Sequence, residues 1–219
     1  MLTTFSVFSP KRQIGFTLKP QLSRVRAILL LLLRSFQVEG YEHRLLDMQK
    51  FAYLLQEIGE PLDLSFRKHT YGPHSEDLDF ILKRLEGRYL RGSNDRSLSV
   101  ALRLLPGAVE DSERILGDEN AALNSRMERL HDLLCGYETA YGIELLATVH
   151  WVMRKSMLAL VDENVAVRGV HAWGGRQGRM FKVAHIRQAR SRLCEQGWFS
   201  GNYSQATPAT PLGTGVDPE

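Results

Sequence analysis

The chain has 219 residues, 43% hydrophobic and 24% charged, with 18 Gly and 8 Pro; this length can bury a core, and this composition excludes collagen-like, mucin-like and wholly disordered classes. Its longest apolar run, Ala27 to Leu33, lies between Arg26 and Arg34 and is far short of the roughly 20 residues that cross a bilayer. The net charge of +3 hides segregation: residues 1–44 carry seven basic and two acidic side chains, 45–163 fourteen and twenty, 164–198 seven and one, and 199–219 none and two.

Residues 1–20 are basic, hold Pro10 and Pro20 and lack a sustained period, which predicts a flexible leader. Ser23 then opens a helix through Val25, Ile28, Leu29, Leu32, Leu33 and Phe36, ended by Gly40. A second helix runs from about Leu45 to Ile58 on a stripe of Leu45, Met48, Phe51, Ala52, Leu55 and Ile58, with Gly59 as C-cap. Leu62, Leu64 and Phe66 alternate with polar residues, the period of a half-buried strand, and Tyr71-Gly72-Pro73-His74 breaks it. Ser75 caps a third helix carrying Leu78, Ile81, Leu82 and Leu85. Weak alternation from Arg96 to Leu104 predicts a second strand, sharing a small sheet with residues 62–68. Pro106 opens a helix with Val109, Ile115 and Leu116.

Helical stripes follow at Leu123, Met127, Leu130 and Leu134; at Ile143, Leu146, Ala147 and His150; over Val165 to Trp173; and at Ile186, Ala189 and Leu193. The Gly, Pro, Thr and Ser of the C-terminal stretch predict a disordered tail over 199–219. The fold class expected is α+β, mainly helical with a small β-sheet, in one domain over residues 21–198.

Phosphate-binding glycine loops, nucleophile elbows and paired zinc-binding histidines are absent from the sequence. His131 and Cys135 stand one helical turn apart without a second ligand pair, so Cys135 reads as a small buried residue and His131 as a surface one; no metal or cofactor is expected. His150, in ELLATVHW, reads as a packed and hydrogen-bonded core histidine, and Trp173 and Phe181 as anchors between elements. The basic run Arg168 to Arg192 has a short helix, a Gly174-Gly175 turn and a second helix. That order suggests helix-turn-helix geometry, with Arg187 and Arg190 on one face as the residues for a weak contact with DNA. Two cysteines make a disulfide scaffold improbable and the cytoplasm the expected compartment.

The run DMQKFAYLLQEIGEPLDLSFRKHTYGPHSEDLDFILKRLEGRYLRG, Asp47 to Gly92, resembles the C-terminal toxin-neutralising domain of DarG antitoxins, itself similar to Panacea (SocA-like) domains. Leu104 to Leu116, Tyr141 to Trp151, Val170 to Trp173 and Met180 to Trp198 agree in order. The resemblance implies a non-enzymatic antitoxin whose partner is a DarT-like DNA ADP-ribosyltransferase toxin, inhibited by occlusion of its single-stranded DNA site. DarG proteins also carry an N-terminal macrodomain that removes the modification; the short leader argues against one here, and so against hydrolase activity. The expectation is therefore a freestanding neutralising domain or a gene remnant, with a helix-turn-helix regulator and a hydrolase of ADP-ribosyl DNA as the other classes.

Carboxylates can stand in for DNA phosphates in such a groove. The toxin-contact candidates are accordingly Glu57, Glu60 and Asp63 at the end of the second helix and Glu76, Asp77 and Asp79 opening the third. Gln49, Lys50, Lys68 and Tyr71 join them because they match the family's signature, with Gln49 and Lys50 expected to be exposed and the Tyr53 hydroxyl expected at a domain seam.

Overall fold

The computed structural model describes residues 22–37, 41–94, 100–117 and 120–200. The expected leader, the Gly40 helix end and most of the expected tail lie outside them. Ten helices and four short strands occur among the described residues: α1 (Arg24–Ser35), α2 (Leu45–Glu57), β1 (Arg67–His69), β2 (Gly72–His74), α3 (Glu76–Leu85), β3 (Leu90–Arg91), β4 (Arg103–Leu104), α4 (Ala108–Leu116), α5 (Asn120–Leu134), α6 (Ala140–Lys155), α7 (Met157–Val161), α8 (Glu163–His171), α9 (Gly175–Met180) and α10 (Val183–Glu195). The fold is mainly helical with small β elements.

Two helices form the centre. Every residue from Asp47 to Leu55 of α2 and from Gly142 to His150 of α6 is buried. A helix buried on all sides must have neighbours all round. Accordingly α2 packs on α1, α5, α6 and β2, while α6 packs on α2, α7, α8, α10 and β2. α1 lies against α4, burying Ala27, Ile28, Leu29, Leu30, Leu32 and Leu33. The stripes expected in α5 and α10 are buried as read, with Ile186, Ala189 and Leu193 fully enclosed. In α4 the buried face is Ala108, Ser112 and Leu116, whereas Ile115 is 49% exposed.

The β elements depart from the expectation of one sheet. β1 pairs antiparallel with β2, with Lys68 opposite Pro73, and β3 pairs with β4, so the described residues form two separate two-stranded ribbons. Leu62 and Leu64 are buried in alternation, yet no strand among the described residues pairs with them. The Gln56 side chain replaces the ladder: its amide donates to the Leu64 carbonyl at 3.0 Å and its oxygen accepts from the Leu64 N–H at 2.8 Å. Pairing starts at Arg67, and the turn falls at Thr70-Tyr71, so Gly72 and Pro73 lie in β2 rather than breaking a strand. Residues 95–99 of the expected second strand lie outside the described segments.

Ser75 caps α3 as expected, its hydroxyl accepting from the Leu78 N–H. The Gly174-Gly175 stretch expected as a turn instead leads into the helical turns of α9. No described helix is long and apolar enough to cross a membrane.

Candidate functional site

The polar residues of the α2–α6 seam converge under the β1–β2 hairpin. Gln49 is fully buried in α2. Its oxygen accepts from the Ser75 N–H at 2.8 Å, and its amide donates to the Ser75 carbonyl at 2.9 Å and to Asp79 Oδ1 at 2.7 Å. Asp79 also receives His74 Nε2 at 3.2 Å. Burial alone would raise the Asp79 carboxyl, but the hydrogen bonds from His74 and Gln49 outweigh it and hold the group below the usual range. Gln49 is thus a bracket between α2 and the start of α3.

Lys50, next along α2, is 1% exposed, and its Nζ makes no hydrogen bond. The exposure expected for Gln49 and Lys50 is therefore corrected: α2 is enclosed on all sides, so its polar residues are enclosed with it. Burial pushes the Lys50 ammonium down to about 8, opposed by the charges of Glu144 and Asp47. At neutral pH it remains mostly protonated.

Across the seam, α6 contributes Glu144 and, one turn later, Thr148. The Glu144 carboxylate accepts from the Arg176 guanidinium and from Gln177 Nε2 at 3.1 Å. Gln177 is buried and also donates to the Thr70 carbonyl, tying α9 to the hairpin turn. The Arg176 guanidinium lies 4.6 Å from the centre of the Tyr71 ring. Arg44, Asp47, Lys50, Tyr71, Glu144 and Arg176 line a cleft of about 270 Å³. A second cleft adjoins at Arg176, with Lys68 and Trp173 in its walls. Lys68 reaches the Ala172 carbonyl at 3.3 Å and stands over the Trp173 ring, whose N–H donates to the His69 carbonyl at 2.8 Å.

The six expected acids divide: Glu60 is buried, Glu57 and Asp79 are half-buried, and Asp63, Glu76 and Asp77 are exposed. Glu60 is 1% exposed and held by Arg24 at 2.7 Å and Arg126 at 2.8 Å. Glu57 is paired with Arg154 at 2.8 Å, and burial raises its carboxyl against the attraction of that arginine. Asp77 accepts from the Ser65 N–H at 3.2 Å, and Glu76 stands 3.5 Å from Arg67. Asp63 is exposed, at a positive φ of 54°. Only Asp63, Glu76 and Asp77 of the six acids are exposed.

The basic helix is also engaged. Arg187 pairs with Glu163 at 3.1 Å, and Arg190 donates to the Ala159 and Leu160 carbonyls.

His150 is the core histidine expected, 2% exposed, with Nδ1 2.9 Å from the Tyr53 hydroxyl; burial drives it down to about 3. Tyr53 uses its hydroxyl between two helices of one core rather than at a domain seam. Cys135 is exposed, correcting the buried reading, while His131 stacks on Phe36 with 4.0 Å between ring centres.

Sequence reasoning missed Glu144, Thr148, Arg176 and Gln177. A signal existed in ELLATVHW, where Glu144 and Thr148 share a face of an otherwise apolar helix. Arg176 and Gln177 follow the Gly174-Gly175 pair in a stretch that no helical stripe marks.

No family model matches the chain. It is 37% identical over 179 residues to the DNA ADP-ribosyl glycohydrolase of Thermus aquaticus, covering 82% of this chain and 49% of that protein. It is 28% identical over 160 residues to the proteins of the same name from Mycobacterium tuberculosis and Mycobacterium bovis, covering 70% of this chain and 44% of each. The chain spans about half the length of the curated relatives it matches.

The relatives carry an enzyme's name, which corrects the expected identity and function. The likeness is to DNA ADP-ribosyl glycohydrolases rather than to an inert neutralising domain. The non-enzymatic antitoxin, the DNA-binding regulator and the non-functional remnant are all set aside.

Proposed function

We propose that the chain acts on ADP-ribosylated DNA, in the hydrolytic removal of ADP-ribose for which its relatives are named, and that the ADP-ribosyl group is met at the α2–α6 cleft. The observation that carries the reading is the 37% identity to the Thermus aquaticus protein. A matched stretch of 179 residues in a chain of 219 spans residues 41–179 wherever it begins, and every residue lining the cleft falls within that range.

The chemistry suits the residues present. Hydrolysis breaks the bond between the anomeric carbon of ADP-ribose and the DNA; the oxygen of water bonds to that carbon, and a proton from the water goes to the departing DNA atom. Positive charge develops on the sugar as the bond lengthens, so a fixed carboxylate beside it is stabilising. Glu144 is such a carboxylate, held by Arg176 and Gln177. Arg44, Lys50 and Arg176 supply positive charge for the diphosphate.

The test is an oligonucleotide carrying ADP-ribose, incubated with the purified chain, with free ADP-ribose and retained complex both measured. Release is expected, with at least a tenfold loss in Glu144→Gln. Neither release nor complex would overturn the reading, and equal release by Glu144→Gln would remove the cleft from it.

A further inference from the structure

We infer that the apolar outer face of α7 is where two copies of this chain pair, antiparallel about a two-fold axis near Ala159. The inference is independent of the chemistry at the α2–α6 cleft.

Of the six large apolar side chains exposed among the described residues, three lie in this one short helix: Met157 is 61% exposed, Leu158 65% and Val161 79%. At 3.6 residues per turn the three span about 100° of the helix circumference, so they form one patch. Phe80, Ile115 and Val183 are the others, one each on α3, α4 and α10, and single exposed apolar residues are ordinary on a protein surface. A helix that turns most of its apolar side chains outward is not. Its inner side is fixed. Ala159 is fully buried, and Arg190 of α10 donates to the Ala159 carbonyl at 3.1 Å and to the Leu160 carbonyl. Extended backbone at Ser156 and Asp162 separates α7 from α6 and α8. The patch is therefore held in place before anything covers it, and covering it costs little conformational freedom.

Charge names the occupant. Lys155, the last residue of α6, stands at one end of the patch, and Glu163, the first of α8, at the other; both are exposed. A parallel pair of copies would set lysine on lysine. An antiparallel pair sets Met157 on the partner's Val161 and Lys155 on the partner's Glu163, each twice by symmetry. Lys155 stands over the Trp151 ring at 5.4 Å, and Glu163 pairs with Arg187 at 3.1 Å. Arg187 offsets part of the acidic end, which Asp162 reinforces by its own exposed carboxylate. Three apolar side chains and two ion pairs make a smaller interface than the roughly 800 Å² per partner of a stable complex, so the dimer is a weak one.

Sedimentation equilibrium of the purified chain from about 5 to about 500 μM tests this. The apparent mass should rise from 24.9 kDa towards twice that value. Val161→Glu should weaken association at least tenfold, since it buries two like charges at the axis. Lys155→Glu and Glu163→Lys should each weaken it by themselves. Mixed in equal amounts, those two variants again oppose lysine to glutamate at both contacts, and association should return. Thermal melts establish that each variant is folded, and all three substitutions are at exposed positions.

A single-chain mass at every concentration would overturn the inference. So would a dimer that a folded Val161→Glu leaves unchanged, which would place the contact on another face. A mixture of the two charge variants that associates no more tightly than either alone would overturn the antiparallel pairing.

Discussion

In α10 the arginines reach away from their own helix and use their donors on neighbours: Arg190 on the carbonyls of Ala159 and Leu160, Arg192 on those of Asp132 and Cys135, and Arg187 on Glu163 and Asn164. In the α2–α6 seam, Lys50 is buried near Asp47, Glu144 and Arg176 with an ammonium that no described atom accepts from. The richer positive charge lies at the first place and the unused donor at the second. A basic stretch advertises a binding face only while its donors are free. An exposed arginine finds a carbonyl or carboxylate cheaply, whereas a buried ammonium without an acceptor carries its desolvation cost.

The contrast sharpens most at a buried charge that is fully paired. Glu60 lies between Arg24 and Arg126 and joins α1 and α5 to the segment after α2. Glu60→Ala should cost about 3 kcal/mol, because it removes two charge-assisted contacts that join elements distant in sequence, while Arg24 and Arg126, 37% and 31% exposed, can turn to solvent. Urea unfolding at neutral pH measures it, and a loss below about 1 kcal/mol would break the distinction between paired and unpaired buried charge.

His150 gives the next largest effect and reports on burial without pairing by charge. Its proton affinity is depressed in the folded state, so the unfolded chain binds the extra proton between pH 6.5 and about 3. Stability contributed by the neutral ring is complete above pH 6.5 and lost as pH falls toward 3, about 3 kcal/mol between pH 7 and 4. Denaturant titrations across that range should show the slope in the native chain and a shallower one in His150→Gln.

Lys50→Met should act in the opposite direction to Glu60→Ala. Removing an unpartnered ammonium in favour of an apolar chain of similar length is expected to stabilise the ligand-free protein by about 1–2 kcal/mol at pH 7. The native chain should itself gain stability as pH climbs from about 8 to 10.5, where the unfolded lysine holds a proton that the folded one releases. The variant should lack that gain. Destabilisation by Lys50→Met in thermal melts would mean that the ammonium is satisfied in the folded chain. The smallest effect belongs to Arg187→Ala: its partner Glu163 is about half exposed, and loss of the pair should change stability by less than about 1 kcal/mol.

Periodicity made the helices of the core legible. In α1, α2, α5, α6 and α10 the apolar residues recur at the helical repeat, and burial follows because each stripe needs a partner surface. It located the β elements poorly, because a strand is defined by what it pairs with. Leu62 and Leu64 alternate as a strand does, yet a single side chain, Gln56, satisfies the Leu64 backbone. Phe66 alternates with them just before β1, which pairs at Arg67.

The cleft was only half legible. Lys50 and Tyr71 were singled out from the sequence, although Lys50 was expected at the surface. Glu144 and Thr148 are spaced one turn apart in a run that reads as core, and Arg176 and Gln177 lie in a glycine-flanked stretch without a helical stripe. Sequence by itself determined that α2 and α6 would be helical and that Gly72 would permit an unusual backbone. Only the tertiary structure decided that these helices pack against each other beneath the hairpin. Helix formation follows from local spacing. The environment of a polar side chain depends on which elements, distant in sequence, close over it, and that closure turned Lys50 from a surface charge into the floor of a cleft.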